Sequence, residues 1–163
     1  MTEQRRDELA EAIGRVAVAA SMADLTVRTV VGQLGGPGAS ILAEAQDSTS
    51  TLIDWCKKFV EKLHTPDETT ADRHRARSEA LKATLVKRNI VVHGLWFADD
   101  EGQSVARRQR GKPVYNREQY SLSDVNELAQ AIRNAAYDFA EIGQTIAWPD
   151  WPGLGSREGR DVH

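Results

Sequence analysis

Apolar residues recur along the first third of the chain at Leu9, Ile13, Val16, Ala20, Ala23, Val27, Val30 and Leu34. Their spacings alternate between three and four, the seam of a helix packed in a bundle. This first helix is expected to stop at Gly35-Gly36-Pro37-Gly38, where glycine frees the backbone for a C-cap and proline cannot continue the ladder. A second run with the same period, from Ile41 through Leu52, Cys56 and Phe59 to Leu63, predicts a second helix with a kink at the Ser/Thr run 48 to 51, and HTPDETT ends it. A third helix is expected from Thr69 or Thr70 through Leu81, Leu85, Val92 and Leu95. A fourth carries Leu122, Val125, Leu128, Ile132, Ala135, Phe139, Ile142 and Ile146.

Ser121 and Asp124 are spaced to cap that fourth helix reciprocally. Between helices three and four, residues 97–120 lose the helical period. They predict a loop or short β-hairpin, with Val105, Val114 and Tyr115 as strand candidates. The fold class expected is therefore all-α, an up-and-down four-helix bundle over residues 1–147 with an insert at 97–120. The tail 148–163, rich in Gly, Pro and charge, is expected to be poorly ordered beyond about Trp151.

Length and composition add little to this picture, and charge adds more. The chain has 163 residues and a net charge of -3. Between Arg73 and Lys112, however, ten cations face four acids. Arg73, Arg75 and Arg77 open the third helix and are expected to form a solvated face with His74. Cys56 is the single cysteine, in register with Leu52 and Phe59, so it is expected to be a buried apolar residue. That usage, with a charged N-terminus and no apolar stretch long enough for a signal or membrane segment, points to a reducing, cytoplasmic setting and no membrane. The histidines lack metal-ligand spacing, and Gly32 to Gly38 lacks the lysine and strand of a phosphate loop. No metal and no cofactor are expected.

One stretch departs from its surroundings. Lys87 to Trp96 reads KRNIVVHGLW, an apolar helix end carrying Arg88, Asn89 and His93. On a helical wheel Arg88 lies inside the apolar arc with Leu81, Leu85 and Val92, while Asn89 and His93 are neighbours at its margin, one turn apart. A structural explanation would bury the Arg88 stem and pair its head with Asp47, Asp54 or Glu61. A chemical explanation uses the three together. A guanidinium grips phosphate, an imidazole moves protons near neutral pH, and an amide holds an oxygen or orients the ring. These are the parts of a metal-free ribonuclease in which the RNA's own 2′-hydroxyl attacks.

Arg88-Asn89-Ile90-Val91-Val92-His93 resembles the signature of the HEPN superfamily (higher eukaryote and prokaryote nucleotide-binding domains): an Arg, often followed by a polar residue, then a His after four to six residues, late in a helix of an all-α bundle. RNIVVHGLW is similar to the form found in small bacterial and phage members. The resemblance implies a metal-independent endoribonuclease of a toxin-antitoxin, abortive-infection or other defence system, acting as a homodimer, with an antitoxin or other protein as a further partner. It also implies Arg88 at the scissile phosphate, His93 as general acid or base, and Asn89 in support. In members paired with a nucleotidyltransferase antitoxin, a Tyr stands two residues after the His. Leu95 holds that place here, so modification there is not expected.

The loop Arg107, Arg108, Arg110 and Lys112, followed by Tyr115 and Tyr120, has the makeup of an RNA contact, cations for phosphates and aromatics for stacking. Two further readings compete with the enzyme. One is a non-catalytic helical module of the same fold that binds nucleic acid or a protein. The other is a purely structural bundle, which requires Arg88 to be buried against a carboxylate. Trp55, Trp148 and Trp151 are expected in core or bundle-end packing.

Overall fold

The computed structural model describes residues 3–46, 48–99, 102–108 and 115–149. Four long helices set the fold class as an all-α helical bundle: α1 (Glu3–Glu44), α2 (Thr49–Phe59), α3 (Glu68–His93) and α4 (Leu122–Ala147). A π-helical turn, Val60–His64, follows α2. None of the helices is long and apolar enough to cross a membrane, among the described residues. The tail beyond residue 149, with Trp151, lies outside them.

Helix α1 differs from the expectation in where its segments join. Gly36 does interrupt it, at φ 77 and ψ -175, a conformation that glycine takes without steric cost. The chain then resumes helix through Pro37 to Glu44 instead of leaving α1. Ile41 and Leu42 therefore belong to α1, and α2 starts afresh at Thr49. Ser48 is its N-cap, accepting from the Thr51 N–H, rather than a kink in a longer helix. The break leaves backbone carbonyls to be satisfied by side chains. His64 Nε2 donates to the Leu34 carbonyl at 2.8 Å beside the break, whereas Arg28 serves the C-terminal end of α1, donating to the carbonyls of Ala43 and Gln46.

Helix α3 begins at Glu68, one residue before the expected window, because Asp67 takes the Thr70 N–H at 2.9 Å and its hydroxyl at 2.6 Å. Those bonds, the Thr70 side chain's first, hold the Asp67 carboxyl below its usual range. Helix α4 starts with the capping box as expected. The Asp124 N–H donates to Ser121 Oγ at 3.1 Å, and the Ser121 N–H returns to Asp124 Oδ2 at 2.6 Å.

Where a loop or short hairpin is expected, the described residues form a three-stranded antiparallel meander. Its strands are β1 (Leu95–Asp99), β2 (Gly102–Arg108) and β3 (Tyr115–Gln119), with β2 in the middle. Leu95 and Trp96 thus open a strand and do not extend α3. Trp96 pairs with Val105, and Val105 with Glu118. Val114 lies outside the described residues.

The chain divides into two compact units. The first comprises residues up to 25 with 80–135. Its core takes Leu9, Ala12, Val16 and Ala20 from α1, Leu81 and Val91 from α3, Val105 from β2, and Val125, Leu128 and Ile132 from α4. Arg15 ties α1 to α4 by donating from Nε and Nη2 to Asn126 Oδ1 at 3.1 and 2.9 Å.

The second unit comprises 26–79 with the residues from 136 onward. It buries Val27, Val30, Leu34, Leu52, Ile53, Cys56, Phe139 and Ile142. Burial pushes the Cys56 thiol up to about 12, so it is inert, as an apolar residue would be. Lys57 of α2 pairs with Glu79 of α3, and Arg77 with Asp138 of α4 at 3.0 Å. Trp55 is half-buried, whereas Trp148 is exposed, contrary to the expected packing.

The solvated face expected at 73–77 holds for its arginines but fails for His74, which is 1% exposed. Its ring lies 5.7 Å from Phe139, and Nε2 has no hydrogen-bond partner among the described residues. Burial, and then the Lys57 charge, lower its pKa to about 4. A group that stays neutral when folded but titrates near 6.5 when unfolded costs stability only as pH falls below the unfolded value. From pH 6.5 downward the unfolded chain takes up a proton that the folded chain refuses, until the folded pKa is reached.

Two mid-helix glycines predict opposite outcomes. A Cβ at Gly143 of α4 would stand 2.7 Å from Val30 Cγ1, whereas one at Gly14 of α1 meets nothing within 4 Å. Gly143→Ala is expected to destabilise by about 1–3 kcal/mol through overpacking, and Gly14→Ala to stabilise by about 0.5–1 kcal/mol through helix propensity. Urea unfolding of both checks this. His74→Leu is expected to remove roughly 2 kcal/mol of the stability that wild type loses between pH 6.5 and 5, at about 1.4 kcal/mol per pH unit. Unfolding free energies at the two pH values measure that difference.

Candidate functional site

The C-terminal half of α3 carries the candidate residues in the first unit. Leu81 and Val91 are fully buried here, while Val92 is half-buried. The packed stripe therefore runs closer to Val91 than the wheel suggests. That shift moves Arg88 toward the middle of the stripe and leaves His93, at the last position of α3, on the solvent side. Arg88 and Asn89 are both half-buried, and His93 is exposed.

Arg88 Nη1 donates to Asn89 Oδ1 at 2.8 Å. A bond between adjacent residues points the guanidinium along the helix surface rather than straight into the core. Its Nε–H is buried and has no acceptor among the described residues. Among the described residues no carboxylate lies within ion-pair distance of Arg88. Of the three acids considered, Asp54 pairs with Lys57 at 3.6 Å, Asp54 and Glu61 belong to the second unit, and residue 47 lies outside the described residues. A half-buried cation without an anion is unusual, since buried charges are ordinarily paired.

Asn89 spends its carbonyl oxygen on Arg88, so its amide group remains the donor that can face a ligand. His93 stands one turn beyond Asn89 on the same side of the helix. Its ring makes no hydrogen bond to any described residue, and its position follows from the backbone that carries it. Just past it, the Gly94 N–H closes on the Ile90 carbonyl at 2.9 Å. Trp96 Nε1 donates to the Val91 carbonyl at 2.9 Å, and the Trp96 ring meets Tyr120 edge-on at 6.1 Å. Burial, then the bond its hydroxyl donates to Glu118, push the Tyr120 phenol up to about 12.

The arrangement can seat an anion on Arg88 and Asn89 and present a titratable ring beside it. The described residues hold no cluster of His, Cys, Asp and Glu fit for a metal ion. Of the residues expected to touch RNA, Arg110 and Lys112 lie outside the described residues. Arg107 and Arg108 close β2 and Tyr115 opens β3, paired across the ladder as Arg108 with Tyr115 and Arg107 with Asn116. Their side chains also lie outside the description. The sequence offers Trp96 and Tyr120 near the site but not their edge-on contact or the indole bond to Val91, because Trp96 fits a helical continuation of α3. The glycine after His93 was the signal that the helix ends there.

Compared with known proteins, the chain matches no family model, no curated protein and no solved structure.

Proposed function

We propose that the chain is a metal-independent endoribonuclease of HEPN type, serving as a toxin or defence component in the cytoplasm. The observation that carries this reading is the state of Arg88, a half-buried guanidinium held by Asn89, with an unsatisfied Nε–H and no carboxylate among the described residues. A structural role for Arg88 needs an anion from the protein. A phosphate from RNA supplies the same charge and acceptors from outside.

In this reading Arg88 and the Asn89 amide take the non-bridging oxygens of the scissile phosphate. The substrate's 2′-oxygen bonds to phosphorus while the bond to the 5′-oxygen breaks. His93 accepts the 2′-hydroxyl proton or donates one to the departing 5′-oxygen, and a second proton carrier completes the transfer. The products are a 2′,3′-cyclic phosphate and a 5′-hydroxyl. Because one His93 is present per chain, a second copy in a homodimer fits the need for that carrier. Arg107, Arg108, Arg110, Lys112 and Tyr115 would bind the RNA on either side, and an antitoxin protein would restrain the activity.

Purified protein in EDTA is expected to cut single-stranded RNA, leaving cyclic phosphate ends, with Arg88→Ala and His93→Ala each reducing the rate by about a hundredfold or more. Absence of cleavage by wild type, or undiminished cleavage by both variants, rejects the enzyme. RNA binding without cleavage would assign the chain to the non-catalytic helical module. Arg88→Met separates function from folding. It is expected to abolish cleavage while leaving stability unchanged or raised by about 1–3 kcal/mol, since it removes a buried donor that has no acceptor. Urea denaturation reads that difference.

A further inference from the structure

The last carbonyls of an α-helix have no donor within the helix. In α3 the Ile90 carbonyl is met by the Gly94 N–H. The next one, on Val91, would ordinarily take the N–H of residue 95, but Leu95 already belongs to β1. The donor it receives instead is the Trp96 indole N–H, at 2.9 Å.

That indole is itself held. Trp96 pairs with Val105 across the ladder, Val105 is fully buried, and Val105 pairs with Glu118, so the three share one row of the sheet. Two residues beyond Glu118, on the same face, Tyr120 presents its ring edge-on to the indole, and its hydroxyl donates to Glu118 at 3.0 Å. The row thus brings the sheet insert to the final turn of α3.

We infer that Trp96 is a positioning residue for His93: its indole N–H, bonded to the Val91 carbonyl, holds the final turn of α3 and the imidazole that turn carries. The His93 ring has no hydrogen bond of its own among the described residues, so its described support is the backbone of the final turn beneath it. Helix ends fray when their terminal carbonyls turn to water. Removing the indole donor frees the Val91 carbonyl two residues from His93. The catalytic importance of this placement rests on the ribonuclease reading, whereas the placement itself is measurable without activity.

The variants are Trp96→Phe and, for the same shape without the N–H, replacement of Trp96 by benzothienylalanine. Val105→Ala is the control that loosens the same row but leaves the indole donor in place. In the benzothienylalanine protein, exchange of the Gly94 amide is expected to quicken about five- to tenfold, the effect of losing one ordinary hydrogen bond, and the His93 Cε1–H resonance is expected to shift. If wild type cleaves RNA, its kcat is expected to fall by a similar factor with KM within about twofold, the signature of a misplaced proton-transfer group. Unchanged exchange and resonance in the isostere overturn the positioning role, as does an equal response in Val105→Ala. If wild type does not cleave RNA, the proposed activity fails, and the exchange and resonance measurements still decide the role of Trp96.

Discussion

A polar group taken out of water must find a partner, and the course of this chain follows the places where that demand arises. His64 meets the Leu34 carbonyl beside the break at Gly36, and Arg28 meets the carbonyls of Ala43 and Gln46 at the end of α1. The starts of α2, α3 and α4 are sealed by Ser48, Asp67 and Ser121. The end of α3 is sealed by an indole from the next strand. Three described side-chain atoms stand outside this rule: Gln33 Oε1, His74 Nε2 and Arg88 Nε. Two of them have clear physical consequences. At His74 the consequence is acid sensitivity, and at Arg88 it is a buried guanidinium N–H with no acceptor among the described residues.

Arg88 is the more informative of the two because it is charged. A structural arginine on a packed stripe should bring its own carboxylate, and none pairs with Arg88 among the described residues of its unit. Asn89 gives the guanidinium one neutral acceptor, which orients it without cancelling its charge. Such an unsatisfied buried donor lowers the stability of the folded chain. His93 is exposed at the helix end, one turn from Asn89.

Much of the fold was legible because it rests on period. The seam from Leu9 to Leu34 and the α4 stripe from Val125 to Ile146 follow from spacing alone, and the Ser121/Asp124 box follows from its chemistry. What spacing could not show was continuity and depth. Helix resumes after Gly36, and His64, from elsewhere in the fold, meets the Leu34 carbonyl that the break leaves. His74 is buried among charged neighbours because the residues on either side of it, Arg73 and Arg75, project away while its own ring packs against Phe139. The end of α3 was placed too late because Leu95 and Trp96 fit either a helical stripe or a strand, and only pairing with β2 decides between them. For the site, the wheel placed Arg88 in the apolar arc and Asn89 beside His93. It could not show that Asn89 would bond to Arg88 rather than to the imidazole.

The central claim, that Arg88 awaits an external phosphate, is tested most directly at its own Nε–H. With 15N-labelled arginine, that resonance can be followed as a short RNA with 2′-O-methyl groups, which cannot be cleaved, is titrated in. The account predicts a weakly shifted, readily exchanging Nε–H in the free protein that moves downfield and becomes protected as RNA binds. A resonance already protected in the free protein and unmoved by RNA would mean that Arg88 has its partner within the chain, and would contradict the account.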